Sequence, residues 1–197
     1  MDDASHAGDA ANGAAVGFAL FGTDLGVCCI AWGLSGICAV QLPQHNELVM
    51  RERMRRQFAQ AREMTPPPEV QHAIDGVVAL LHGERADLSG IALDMTGVPP
   101  FHQRVYDIAR AIPVGSTLTY GEVAAQLGEP GAARAVGQAL GANPFAPVVP
   151  CHRVMAAGGK AGGFSAAGWT VCWKCSAKKV RAHQMLRPPT KAAAAVS

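Results

Sequence analysis

Between Val16 and Leu42 the chain carries three apolar runs, Val16 to Phe21, Val27 to Trp32 and Ile37 to Leu42, separated by Thr23-Asp24-Leu25-Gly26 and Leu34-Ser35-Gly36. Short apolar runs bounded by turn residues read as strands, and connections this short pair neighbouring strands antiparallel. An antiparallel meander is therefore expected. Glu47 to Glu63 reads as an arginine-rich amphipathic helix stopped by Pro66-Pro67-Pro68. A second helix is expected over Val70 to His82, and Ile91 to Met95 reads as a returning strand. Residues 15–96 would form a small amino-terminal subdomain, preceded at 1–14 by a disordered tail rich in Asp, Ala, Gly and Asn.

From Pro100 the period becomes helical, with Phe101, Val105, Ile108 and Ala109 on one face. Thr119 stands where it could cap a short helix over Tyr120 to Leu127. Gly128-Glu129-Pro130 then turns the chain into a second short helix, Gly131 to Leu140. This is the outline of a helix-turn-helix, although two alanine-rich helices around a Gly-Pro turn are also an ordinary packing unit. Ala132, Ala133, Ala135 and Gly137 leave the second helix slim, with Arg134 as its one long charged side chain. The overall expectation is an α+β fold: a small antiparallel sheet followed by a helical carboxyl-terminal subdomain.

Composition narrows the setting. A chain of 197 residues that is 49% hydrophobic can bury a substantial core in two subdomains. No apolar run approaches a membrane span, and Met1-Asp2-Asp3 lacks the basic start of a signal peptide. A cytoplasmic protein without membrane attachment is expected. Cys28, Cys29, Cys38, Cys151, Cys172 and Cys175 are not spaced as a secreted disulfide framework, so no structural disulfide is expected. Net charge is +2, but residues 1–129 hold 8 basic against 15 acidic side chains, whereas residues 130–197 hold 9 basic and none acidic. A basic end fits phosphate, though a solvated tail would carry the same charge.

Pro150-Cys151-His152-Arg153-Val154 places a thiol beside an imidazole. The thiolate is the reactive form of cysteine, and a nearby base raises its fraction. Adjacent side chains usually diverge, so these five residues alone also fit a structural cysteine. Upstream, however, lie Thr119-Tyr120-Gly121-Glu122-Val123-Ala124, Gly131-Ala132-Ala133-Arg134-Ala135-Val136-Gly137, Gly141-Ala142-Asn143-Pro144 and Pro147-Val148-Val149. In this order and spacing, from about Gly97 to Ser165, the chain resembles the O6-alkylguanine-DNA alkyltransferases, also called methylated-DNA-protein-cysteine methyltransferases.

The resemblance implies DNA repair by single-turnover transfer of an alkyl group from O6-alkylguanine to Cys151. It implies that His152 accepts the thiol proton through water and that Asn143 holds the turn around the site. Tyr120 would help rotate the nucleotide and assist the departing guanine. Arg134 would fill the gap in the base stack. Val154 and Ser165 match positions that recognise the flipped base, and Phe164 stands where the family often has an aromatic. The expected partner is double-stranded DNA carrying O6-alkylguanine, bound by a monomer through residues 97–168, with no cofactor and no metal. Cys172 and Cys175 lack the second pair a zinc site needs, and His45, His82, His102 and His183 show no ligand spacing.

The chain departs from the family after Gly168. The family continues with a final helix whose glutamate orients and charges the histidine; here Lys178 stands at that distance from the cysteine, and no acidic residue follows Glu129. Residues 169–197 read instead as an atypical basic tail, the kind of switch a change of reading frame in a GC-rich gene produces. Losing the acid implies slower transfer, since general acid-base assistance is worth about 10² to 10⁴ in rate. Two other functions fit less of the pattern: a lesion-binding protein with impaired transfer, and a helix-turn-helix regulator.

Overall fold

A computed structural model describes residues 15–43 and 46–157. The tails at 1–14 and 169–197, together with Phe164, Ser165, Cys172 and Cys175, lie outside the described residues.

The meander forms as β1 (Gly17–Thr23), β2 (Gly26–Gly33) and β3 (Gly36–Gln41), paired antiparallel. Its runs are continuously apolar because both faces are covered. Along β2, Cys28, Ile30 and Trp32 face one core, which also holds Val70, Ile74 and Val77 of α2 (Pro68–His82). Cys29 and Ala31 face the other, with Met50 and Met54 of α1 (Glu47–Gln57). Both adjacent cysteines are thus buried. Burial pushes Cys28 up to about 11 and Cys29 and Cys38 up to about 12, leaving all three as protonated, inert thiols.

α1 starts at Asn46, whose side chain caps Val49 N at 3.0 Å, and stops six residues short of the expected end. Phe58 turns into the core, and Arg62–Glu63 then pair parallel with Gly17 and Phe18 as β4, giving sheet order β3-β2-β1-β4. The open edge of β1 outcompetes continued helix: Arg62 N reaches Val16 O at 3.1 Å and Met64 N reaches Phe18 O at 3.1 Å. α2 begins two residues earlier than expected because Pro68 suits a first helical turn, and Gly83 at φ 91° ends it.

The expected strand at Ile91 to Met95 shrinks to one parallel bridge, Leu93 to Ile37. Asp94 bends the chain away after it. Its carboxylate accepts Thr96 N at 2.9 Å and lies 3.7 Å from Cys38 Sγ.

Helix α3 (Pro100–Ala111) buries Val105, Tyr106 and Ala109. Tyr106 takes the place that the sequence pattern assigned to Ile108, which is half-buried. Strand β5 (Leu118–Thr119) leads into α4 (Tyr120–Gln126) and α5 (Ala133–Gly141). α5 starts two residues later than expected, after a turn in which Ala132 N donates to Glu129 O at 2.8 Å. A 3-10 turn, Cys151–Arg153, and β6 (Val154–Met155), parallel to β5, complete the described chain.

Gly36 supplies a test of how closely the β2–β3 turn fits the 92–94 segment. It sits at φ +136°, and a Cβ there would lie 2.5 Å from Ala92 O. Gly36→Ala should destabilise the protein by about 2–4 kcal/mol, combining backbone strain with displacement of the 92–94 segment. A urea midpoint unchanged from wild type would show that the turn relaxes freely.

Candidate active site

The thiol site is assembled by one core. Val123 and Ala124 of α4, Val136, Ala139 and Leu140 of α5, Val105 and Tyr106 of α3, and Cys151 itself all belong to it. The helix-turn-helix and the cysteine are therefore packed as one unit. Cys151 is only 4% exposed, at the start of the 3-10 turn.

That turn is tied from several directions. Asn143 Nδ2 donates to Val149 O at 2.9 Å, and its Oδ1 accepts Phe145 N at 2.9 Å. Arg153 Nη1 donates to Ile112 O at 2.7 Å, and β6 pairs Val154 with Leu118 and Met155 with Thr119. Val154 is thereby buried immediately beyond the turn.

Thr119 does cap α4, through a full capping box: its Oγ1 accepts Glu122 N at 3.1 Å, and its own N–H donates to Glu122 Oε2 at 2.6 Å. The box holds Tyr120 at the first turn of α4, half-buried against the thiol core. Burial, helped by the charge of a Cys151 thiolate, pushes Tyr120 up to about 12, so its phenol stays an O–H donor.

Arg134 projects from the first turn of α5 into solvent. Among the described residues it makes no hydrogen bond or ion pair. The connection before α5 is pinned instead by Arg104, which binds Glu129 at 2.9 Å and Leu127 O at 2.6 Å. Gly137 faces open space: an added Cβ would meet nothing within 4 Å.

Two contributors were not singled out from sequence. Tyr106 donates its hydroxyl to Ala139 O at 2.9 Å and packs edge-on against Phe145 at 6.1 Å. Arg153 anchors the cysteine turn. Tyr106 is legible afterwards from its i+4 relation to His102 and i−3 relation to Ala109; Arg153 had only its place in the pentapeptide. Among the described residues no three His, Cys, Asp or Glu side chains cluster as metal donors.

His152 is buried, and burial first, then the charge of Arg153, lowers its pKa to about 4. The imidazole is neutral at pH 7 and can accept a proton. An exposed histidine titrates near 6.5, so as pH falls the unfolded chain binds this proton before the folded one. Stability present above about pH 6.5 should thus be lost progressively toward pH 4, by about 3 kcal/mol in all. Denaturant midpoints at pH 7.5 and 4.5 should show that loss, and His152→Gln should remove most of it; an equal loss in the variant would assign the titration elsewhere.

Comparison with known proteins converges on one group. The family described as "6-O-methylguanine DNA methyltransferase, DNA binding domain" matches residues 100–181. A methylated-DNA–protein-cysteine methyltransferase of Methanothermobacter thermautotrophicus is 36% identical over 141 residues, covering 72% of this chain and 71% of that protein. Its namesake in Mycobacterium bovis is 48% identical over 101 residues, 51% of this chain and 60% of that protein. Among solved structures, Mycobacterium tuberculosis OGT in complex with DNA superposes with a TM-score of 0.66 at 32% identity, covering 84% of this chain and 94% of that one. The buried thiol, its helix-turn-helix and this breadth of likeness place the chain in the methylated-DNA–protein-cysteine methyltransferase family.

Proposed function

We propose that this protein repairs double-stranded DNA by moving the alkyl group of O6-alkylguanine to Cys151 in a single stoichiometric step. The observation that carries the reading is the shared core of Cys151 with α4 and α5, which couples a nucleophile to a DNA-binding element. In the step, a bond forms between Sγ and the alkyl carbon while the carbon–O6 bond breaks and its electron pair returns to the guanine. His152, neutral, takes the thiol proton through water. Tyr120, held protonated, supports the departing guanine by hydrogen bonding. Asn143 keeps the turn in shape. Val154 and Ser165 would recognise the flipped base, and Phe164 matches an aromatic position of the family.

A thiol that is 4% exposed cannot reach a base inside a duplex, so the base must come to it. Extrusion costs about a few kcal/mol of unstacking, less for a poorly paired lesion. Arg134, solvent-facing on a slim helix, suits the vacated position in the stack. The open face at Gly137 lets that helix approach closely. Residues 97–168 would form the DNA-binding subdomain and 15–96 its support, working as a monomer in the cytoplasm without cofactor or metal. Among the described residues no helix is long and apolar enough to cross a membrane.

Duplex DNA with labelled O6-methylguanine should leave one label per protein molecule. Cys151→Ala should abolish transfer while DNA affinity stays within about threefold, since a buried thiol adds little to phosphate-driven binding. Label retained on that variant would mean another nucleophile. DNA binding without any label on the wild-type chain would favour a lesion-binding protein instead.

Arg134→Ala should slow transfer from duplex DNA by about tenfold or more and leave reaction with the free alkylated base nearly unchanged, because only the duplex requires extrusion. Equal losses on the two substrates would point to a folding defect and against a role in extrusion.

A further inference from the structure

The last four carbonyls of a helix lack intrahelical donors and must find others. At the end of α5, Ala142 N returns to Gln138 O at 3.0 Å and Asn143 N to Leu140 O at 3.3 Å. Ala139 O receives its donor from a different helix, the Tyr106 hydroxyl of α3 at 2.9 Å. The same side chain reaches the other side of the hinge. Only Ala142, Asn143 and Pro144 separate α5 from Phe145, and the Tyr106 and Phe145 rings meet at 6.1 Å and 85°. Phe145 N is in turn held by Asn143.

We propose that Tyr106 is a positioning residue: its phenol caps α5 from outside and holds the end of that helix in register with the turn that carries Cys151. This rests on the proposed transfer reaction, in which α5 meets DNA and Cys151 receives the alkyl group. A phenylalanine would fill the same volume, so the hydroxyl is the part that matters. A buried hydroxyl must be bonded, and its acceptor is the main-chain carbonyl of Ala139, in the last turn of α5. Burial and the nearby Cys151 charge raise the Tyr106 ionisation further, so the phenol remains a donor throughout.

The role predicts a substrate split. When DNA pulls on α5, the strut transmits its position to the thiol; a free base bypasses that element.

The test is Tyr106→Phe in the full chain, with melting and circular dichroism to verify the fold. Transfer from duplex O6-methylguanine should fall about five- to tenfold, and reaction with the free alkylated base less than about twofold. Amide hydrogen exchange at Leu140 to Asn143 should accelerate by a similar factor, relative to α4. Equal losses on the two substrates, no loss on duplex DNA, or unchanged exchange would each overturn the proposal. Absence of transfer by the wild-type chain would instead defeat the proposed reaction, and the exchange measurement would still decide whether the strut exists.

Discussion

Residues 144–150 cross the molecule as irregular chain, and buried backbone must find hydrogen-bond partners wherever it lacks a helix or ladder. The Asn143 amide supplies two at once, one to Phe145 N and one to Val149 O. A carboxylate could accept from Phe145 but could not donate to Val149, and an aliphatic side chain could do neither. The placement of Phe145, Val149 and Cys151 in one core follows from that bidentate contact. The proposed chemistry depends on the turn it shapes.

The same segment joins the two halves. Val148 packs with the sheet and α2, whereas Val149 packs with α3, α4 and α5. Val40 N of β3 donates to Pro144 O at 2.8 Å, so the sheet edge directly braces the hinge. Arg110 of α3 also donates to the carbonyls of Ser89 and Ile91, drawing the 89–91 loop onto the helix. Sheet and helices are thus fastened at two points. A sheet far from the chemistry in sequence becomes a supporting wall for it.

Legibility in the sequence followed locality. The three strands were readable because each side of the sheet is covered, which leaves uninterrupted apolar runs, and α4 was readable because Thr119 and Glu122 form a local capping box. The end of α1 was not, since it depends on the edge of β1, a partner more than forty residues upstream of Glu63. The Ile91 to Met95 strand failed for a similar reason: an Asp94 side chain that turns inward toward Cys38 and Thr96 has no signature in hydrophobic period. Cys151, His152, Asn143, Tyr120 and Arg134 were singled out in the sequence through linked motifs. Tyr106 escaped because its meaning lies in a contact thirty-three residues away.

A deeply buried nucleophile would be a poor choice for an enzyme that must release product and begin again. The thioether of the proposed reaction is not released, so the site would need to open only once per molecule, and burial then carries an advantage. Burial keeps His152 neutral and Tyr120 protonated, the two states in which one can take a proton and the other can donate a hydrogen bond. In the proposed reaction it would also make access conditional on the base being presented from outside the stack. The cost of that presentation would fall on α5, which shares its core with the thiol, so a shift of the helix on DNA would reach the surroundings of Cys151. In the proposed reaction selectivity for damage would then arise before any bond is made, because a base that pairs poorly costs less to bring to Cys151 than one that pairs well.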